Sequence, residues 1–404
     1  MSELLADGML AGLDEIAGTG RDARRGGYSR HVWQAAELEL RAWFVERAGR
    51  IGLDIETDRN GNIWAWWGTP GPDAVVTGSH LDSVPGGGAY DGPLGVVSAL
   101  DAIARLQAAG FTPSRPCAIL VFAEEEGSRF GIACLGSRLM TGALGADRAR
   151  ALVDADGVTL AEAAVRAGLD PAHLGTDREA LERIGLFVEL HVEQGRGLIE
   201  LGQPVAVASS ILAHGRWRLT VTGRGNHAGA TLMADRRDPM VAAARAVLAV
   251  QDAASARPGT RATVGRMNIV PGGTNVIASS VQAWLDARAE TDEETRALLG
   301  EITALVDEAV AENGCSVAVV EESWAGSVHF DPELRDRFSA ALGGVPALPT
   351  GAGHDAGVLA ASVPSAMLFV RNPTGISHSP EEFATADDCV AGVEALEKLL
   401  RTLL

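Results

Sequence analysis

Two apolar, β-branched runs each end in a cluster of ionisable groups, and this pairing limits the folds open to the chain. Ala74-Val75-Val76-Thr77 leads into Gly78-Ser79-His80-Leu81-Asp82-Ser83-Val84 and then Gly86-Gly87-Gly88-Ala89-Tyr90-Asp91-Gly92. Ala118-Ile119-Leu120-Val121-Phe122 leads into Ala123-Glu124-Glu125-Glu126-Gly127-Ser128-Arg129-Phe130. Such runs read as buried parallel strands. Ligands in open α/β sheets sit beyond the carboxyl ends of these strands. Both strands are therefore expected to deliver imidazole and carboxylate groups to one rim. That donor set, with little thiol, suits Zn or another divalent first-row metal.

His80 and Asp82 alternate on one strand end. The glycines at 86, 87, 88 and 92 let the backbone fold tightly, so that Asp91 can turn back toward His80. Three adjacent carboxylates, Glu124, Glu125 and Glu126, repel one another unless a cation sits nearby. A metal relieves that repulsion and leaves one carboxylate as a general base. His191 closes a third apolar run, residues 184–191, and His378 lies in Gly375-Ile376-Ser377-His378-Ser379-Pro380. Taken singly, each piece also reads as a solvated acidic turn or a surface histidine. Together, His80, Asp91, Glu126, His191 and His378 give three imidazoles and two carboxylates. That is the ligand set of a two-metal hydrolase with one bridging carboxylate and metals ~3.5–4 Å apart.

A chain of 404 residues has room for two domains. Residues 31–48 read as an amphipathic helix. Pro93 can open a helix that ends near Ala109-Gly110, and residues 147–183 look helical and polar. After about residue 209 the pattern changes. Residues 216–222, 262–270, 280–289 and 316–321 read as strands, and 239–256 and 294–312 as helices. The order β-α-β-β-α-β resembles a ferredoxin-like sandwich of ~100 residues. Helix-strand alternation resumes after Trp324, so the second domain reads as inserted into the first. The expected division is 1–209, 210–323 and 324–404.

The net charge of −19 argues against a nucleic-acid partner. No apolar run approaches membrane-span length, so no membrane partner is expected. Glu3, Asp7, Asp14 and Glu15 precede the first basic residue, which is unlike a secretion signal. Cys117, Cys134, Cys315 and Cys389 are scattered without zinc-finger or redox spacing, as in a reduced cytoplasmic protein.

The chain resembles the dinuclear-zinc amidohydrolases related to aminoacylases and carboxypeptidases. Within them it is similar to the branch of N-carbamoyl-L-amino-acid hydrolases, allantoate amidohydrolases and β-ureidopropionases. The pieces that carry the resemblance are the His80 and Asp91 segments, Glu125-Glu126-Gly127-Ser128-Arg129-Phe130, His191-Val192-Glu193-Gln194-Gly195, Asn226-His227-Ala228-Gly229, Asn275-Val276-Ile277, Gly351-Ala352-Gly353-His354-Asp355-Ala356 and Ser377-His378-Ser379. They follow the family order and span nearly the whole chain. The Glu-Glu-Gly-Ser-Arg-Phe and His-Val-Glu-Gln-Gly pieces distinguish this branch from the peptidases.

The resemblance implies an α/β, mixed-sheet, zinc-exopeptidase-like catalytic domain with an inserted ferredoxin-like α+β dimerisation or lid domain. It implies two divalent ions per chain, Zn first, with Mn, Co or Ni as alternatives. His80, Asp91 and His191 would hold one metal, and Asp91, Glu126 and His378 the other. Glu125 would be the general base, and Asp82 would orient His80. Gln194 would touch the ureido end. Asn275 and Arg288 would hold a free substrate carboxylate and Arg216 would contact the substrate, with Gly353 allowing close backbone approach. His227 would cross a homodimer interface to the developing oxyanion. The implied reaction is hydrolysis of a linear C–N amide, ureido or carbamoyl, in allantoate or an N-carbamoyl-L-amino acid. The alternatives are hydrolysis of an N-acyl amino acid, as by an aminoacylase, deformylase or dipeptidase, and a catalytically silent scaffold. Two positions depart from the family pattern. Ala230-Thr231-Leu232-Met233 stands where Thr-Thr-Pro-Met is usual, and Ala278 where Pro is usual. They leave the choice of substrate open.

Overall fold

A computed structural model describes residues 8–404. The acidic N-terminal stretch read against a secretion signal falls partly on residues 1–7, outside the described residues. The chain divides into two compact units. One holds the residues up to Ser209 and from His329 onward, and the other holds Ser210–Val328. The second break falls at 328/329 rather than the expected 323/324. The strand expected to end at residue 321 instead runs Ser316–Ala325 along a neighbour.

In chain order the strands of the first unit begin with β1 (Asp54–Thr57), β2 (Ile63–Trp67), β3 (Ala74–His80), β4 (Cys117–Phe122), β5 (Ile184–Val192) and β6 (Val205–Ile211). Then come β7 (Ala213–Thr222), β8 (Asn226–His227), β9 (Arg261–Val270), β10 (Val276–Ile277), β11 (Ser280–Ala289) and β12 (Ser316–Ala325), followed by β13 (Val328–His329), β14 (Ala347–Thr350) and β15 (Ser365–Val370). The large mixed sheet has the order β1-β2-β4-β3-β5-β15-β6-β13, with β14 beside β6. Its centre, β4-β3-β5-β15, is parallel. These four strands are buried almost throughout, as expected of a parallel sheet covered on both faces.

The helix α1 (Pro93–Ala108) opens at Pro93 as its sequence predicts. It lies close against the sheet because Gly95 has no side chain. A Cβ there would overlap the carbonyl of Leu190 and crowd Ser79. Two sequence expectations need correction. The helix predicted over 31–48 runs Ala35–Arg50. Trp33 takes a positive φ of 55°, which no helix accepts, and buries itself with Phe130, Leu139 and Leu160. The stretch 147–183 is three short helices, Ala146–Arg150, Leu160–Arg166 and Arg178–Arg183, separated by glycines 157, 168 and 175 at positive φ.

In the second unit, α2 (Pro239–Ala256) and α3 (Asp292–Ala311) cover one face of an antiparallel sheet ordered β12-β7-β11-β9. Alternation along β11 puts Val281, Ala283, Leu285 and Ala287 against the helices and Asp286 and Arg288 on the other face. With the succession β7-α2-β9-β11-α3-β12, this is the β-α-β-β-α-β sandwich that the sequence predicts. Thr291 and Glu294 close a capping box on α3, and Asp238 caps α2 ahead of Pro239.

Candidate metal centre

Strand order explains why the ionisable groups meet. After β3 the chain moves to β4 on one side, then crosses to β5 on the other. That reversal opens a crevice beyond the carboxyl end of β3, where open α/β sheets bind their ligands. His80 is the last residue of β3, His191 stands one residue from the end of β5, and the glutamates follow β4. His378 lies in the loop after β15, and Asp91 sits just before α1. Gly92, at φ +83°, is required here. A Cβ would lie 2.5 Å from the His80 ring.

Asp91 is the centre of the cluster. Its Oδ1 is 3.1 Å from His191 Nε2 and 3.5 Å from His80 Nε2, and its Oδ2 is 3.5 Å from His378 Nε2. His378 Nε2 lies 3.3 Å from Glu126 Oε2. His80, Asp91 and His191 form one group of converging donor atoms, and Asp91, Glu126 and His378 form another. Backbone carbonyls fix both buried imidazoles. His80 Nδ1 is 3.0 Å from the carbonyl of Asp82 and His191 Nδ1 2.9 Å from that of Val192. Each Nδ1–H therefore donates outward and each Nε2 turns its lone pair inward. Both Nε2 atoms are buried and make no hydrogen bond despite their closeness to Asp91. Nitrogen and carboxylate lone pairs aimed at a common point are what a divalent cation needs, so these residues fit one at each group. His378 reaches the cluster from a left-handed backbone, φ 57°.

The charges respond to this crowding. Burial disfavours the His80 cation, but Glu125, Asp82 and Asp91 outweigh it and hold that imidazole well above its usual range. Burial would raise Asp91, yet His191 and His80 hold it well below. Burial pushes Glu125 and Glu126 well above the carboxylate range, with neighbouring carboxylates adding to it.

The glutamate turn adds to one expectation and fills a gap. The Asp82 carboxylate lies within ion-pair distance of His80, Oδ1 to Nδ1 3.6 Å, while the backbone carbonyl of Asp82 makes the hydrogen bond to that nitrogen. The carboxylate also accepts from the backbone N–H groups of Glu125, at 3.2 Å, and Glu126, at 3.1 Å. It thus fixes the turn that aims those two side chains. Glu124, left without a role by its sequence, points away at φ 55° and accepts from the N–H groups of Arg129 and Phe130 at 2.8 and 2.7 Å. Burial pushes its carboxyl up to about 8. Glu125 Oε2 stands 3.7 Å from His80 Nε2, and the Cys134 thiol donates to Oε1 at 3.2 Å. Cys134 therefore touches the site, a contact that cysteine spacing could not reveal.

Gln194 is also differently engaged. Its Nε2 donates to Asp91 Oδ2 at 2.8 Å and Ser377 Oγ at 3.0 Å, and its Oε1 is buried without a partner. Gly353 has open space where a Cβ would point, so internal packing does not demand glycine there. Sequence reasoning passed over His354, Asp355 and Glu189. The His354 ring lies 4.5 Å from that of His191, with Nε2 buried and unpartnered. Glu189 accepts from Ser79 Oγ at 2.9 Å and the Ala356 N–H at 2.9 Å, while Asp355 bonds Ser137. The run Gly351–Ala356 was the available signal, but only its glycine had been given a role.

Four candidate residues lie in the second unit. Residues 226–227 pair with 276–277, which brings His227 beside Asn275. His227 is exposed, and its Nδ1 accepts from the N–H groups of Gly229 and Ala230, both at 3.1 Å. Its Nε2 therefore carries the proton and is free to act as a donor. Arg288 grips Asp286 with two hydrogen bonds, 2.7 and 3.1 Å, and Arg216 approaches the same carboxylate at 3.4 Å. Leu232, one of the departures from the family pattern, is exposed with Met233, whereas Ala278, another, is buried.

Residues 76–402 match the model of peptidase family M20/M25/M40. The chain belongs to this family. It is 36% identical over 378 residues to an N-carbamoyl-L-amino acid amidohydrolase of Geobacillus stearothermophilus, covering 92% of each chain. It is 33% identical to an allantoate amidohydrolase of Bacillus subtilis, over 92% of this chain and 90% of that one. A crystal structure of a hydantoinase/carbamoylase family amidase from Burkholderia multivorans superposes with a TM-score of 0.87 at 29% identity, over 98% and 97% of the two chains. These M20 relatives bear out the amidohydrolase resemblance and the mixed α/β fold read from the sequence. Among the described residues no helix is long and apolar enough to cross a membrane.

Proposed function

We propose that this hydrolase of C–N bonds uses two divalent cations, Zn first among them, to cleave the carbamoyl or ureido bond of an N-carbamoyl-L-amino acid or of allantoate. The observation that carries the reading is Asp91, which offers one oxygen to His80 and His191 and the other to His378. His80, Asp91 and His191 would hold one ion, and Asp91, Glu126 and His378 the other. Bound there, the pair would supply Lewis-acid charge for the scissile carbonyl and the attacking water. Glu125 is placed to take a proton from water and deliver it to the leaving nitrogen. Asp82 keeps Glu125 and Glu126 aimed through their backbone N–H groups. The Gln194 NH2 stays with Asp91 and Ser377, its unpartnered Oε1 accepts from the ureido end of the substrate, and Gly353 leaves room for a ligand at the backbone. Four free thiols accord with a reducing cytoplasm.

Arg288, with Arg216 and Asn275, reads the substrate carboxylate. Asp286 holds the Nε/Nη2 edge of the guanidinium and so fixes the plane in which Arg288 meets a carboxylate. In a panel of N-carbamoyl-L-amino acids, allantoate, N-carbamoyl-β-alanine, an N-formyl amino acid and a dipeptide, the ureido compounds are expected to lead. A dipeptide turned over fastest would return the chain to the peptidase reading. Amidating the substrate carboxylate should cost wild type heavily and Arg288→Ala little. Arg288→Lys should already raise KM, because an ammonium cannot reproduce the planar fork. Equal losses from amidation in both proteins would pass the role to Arg216.

The working form is a homodimer in which His227 donates to the oxyanion of the partner's site. The exposed edge strand β9 carries Met267, Ile269 and Val270 in the open, an apolar edge that a second copy would cover. Mixing inactive His227→Ala chains with inactive Glu125→Gln chains should regenerate activity, since each mixed dimer then holds one intact site. Mixed dimers, verified by mass, that stay inactive would confine His227 to its own chain or exclude it.

A further inference from the structure

Glu382, four residues beyond His378, has no part in the reading above, yet it joins the two loops that carry metal-binding candidates. Its Oε1 accepts from the backbone N–H groups of Tyr90, at 3.1 Å, and Asp91, at 3.0 Å. Its Oε2 lies 3.3 Å from the hydroxyl of Ser377, the neighbour of His378. The side chain is buried, 4% exposed. Room for it is made by Gly88, where a Cβ would overlap its carboxyl group. The glycine run before Asp91 thus serves a second purpose: one glycine admits a carboxylate from the far end of the chain.

We propose that Glu382 is a positioning residue that locks the Asp91 loop to the His378 loop and thereby sets the affinity of the ion held by Asp91, Glu126 and His378. The inference rests on the two-ion reading of the site. His80 and His191 are held by strands of the sheet, so their geometry survives without help. Asp91 and His378 stand on loops; Asp91 belongs to both groups, but only the group it shares with Glu126 and His378 draws on these two loops and so depends on a tie between them. Ser377 transmits the tie. Its hydroxyl has one proton and two carboxylate neighbours, Asp91 Oδ2 at 3.2 Å and Glu382 Oε2 at 3.3 Å. When Glu382 takes that proton, Asp91 Oδ2 accepts only from the Gln194 amide, at 2.8 Å, and keeps its remaining lone-pair capacity for a cation. Without a carboxylate at 382 the hydroxyl turns to Asp91 and competes with the ion.

Glu382→Gln isolates this effect. The amide oxygen can still accept from both backbone N–H groups, but an NH2 now faces Ser377 and donates to it, which sends the Ser377 proton to Asp91. Full-length metal-free protein, titrated with Zn2+ against a competing chelator, reads the result. Wild type should show two ions per chain. Glu382→Gln should keep the metal-free melting temperature and the tighter ion, and lose about 10 to 100-fold in affinity for the weaker one. Excess Zn2+ should restore its kcat with KM unchanged. Gly88→Ala, which displaces the carboxylate without altering it, should weaken the same ion. Wild-type affinity for both ions in Glu382→Gln and Gly88→Ala overturns the proposal. So does equal weakening of both ions together with a lowered metal-free melting temperature, which marks a general structural role. A wild-type chain that binds fewer than two ions fails the two-ion reading itself and is recognised before any variant is compared.

Discussion

Glu125→Gln should abolish turnover while the protein keeps both metal ions. Glutamine matches glutamate in size and can still accept a hydrogen bond from Cys134, but it cannot take a proton from water. Loss of a general base typically costs ~100 to 10,000-fold in rate. Glu126, one residue on, converges with Asp91 and His378, whereas Glu125 joins neither group and lies beside His80. That difference separates a ligand from a base. Glu126→Gln should therefore lower metal content, and Glu125→Gln should not. Glu124→Gln should keep most of the turnover, because the amide oxygen can still hold the N–H groups of Arg129 and Phe130. Steady-state rates with elemental analysis of each variant decide the matter. Near-wild-type turnover in Glu125→Gln, with none in Glu124→Gln, would shift the assignment by one residue.

What the sequence made legible follows a physical line. Strand ends at His80, His191 and Phe122 are set by long apolar runs, whose burial pattern depends on little beyond themselves. Residues close in sequence to those ends converge in the structure. The partners of Asp82 were not foreseen. A short carboxylate two residues from a histidine suggests a contact between side chains, but the turn after β4 offers two N–H groups that bind it better. Contacts across the fold left no trace in spacing. Cys134 reaches Glu125, and Glu382 reaches Asp91 across 291 residues of chain. Trp33 shows the same limit within a helix prediction. Periodicity over 31–48 was helical, yet burial of its indole in a separate cluster fixed a backbone angle that broke the helix before Ala35.

Metal withdrawal should have the other large effect, on stability as well as activity. Exhaustive chelation is expected to inactivate the enzyme, and two divalent ions per chain to restore it. Without cations the crowded carboxyls keep their protons. Glu124 stands at about 8, and Glu125 and Glu126 are well above their usual range, chiefly through burial. His80 and His191 are also raised, by neighbouring carboxylates that outweigh burial. For each of these groups the folded state binds protons more tightly than the unfolded state, so stability falls as pH rises through the folded pKa. His354 acts in the opposite sense, since burial holds its pKa well below the usual value of 6.5. Its contribution is complete once the unfolded imidazole has lost its proton, above that pH. As pH rises from 6.5 to about 8 that opposing contribution fades and the falling contributions of the raised groups dominate. The melting temperature of the chelated protein should therefore drop across that window. Added Zn2+ should stabilise it more at pH 8 than at pH 6.5, because the ions compete with protons for the same ligands. Scanning calorimetry at the two pH values, with and without metal, measures both slopes. A chelated protein that grows more stable over this window, or full activity at a metal content confirmed as zero, would remove the cations from the centre of the chemistry.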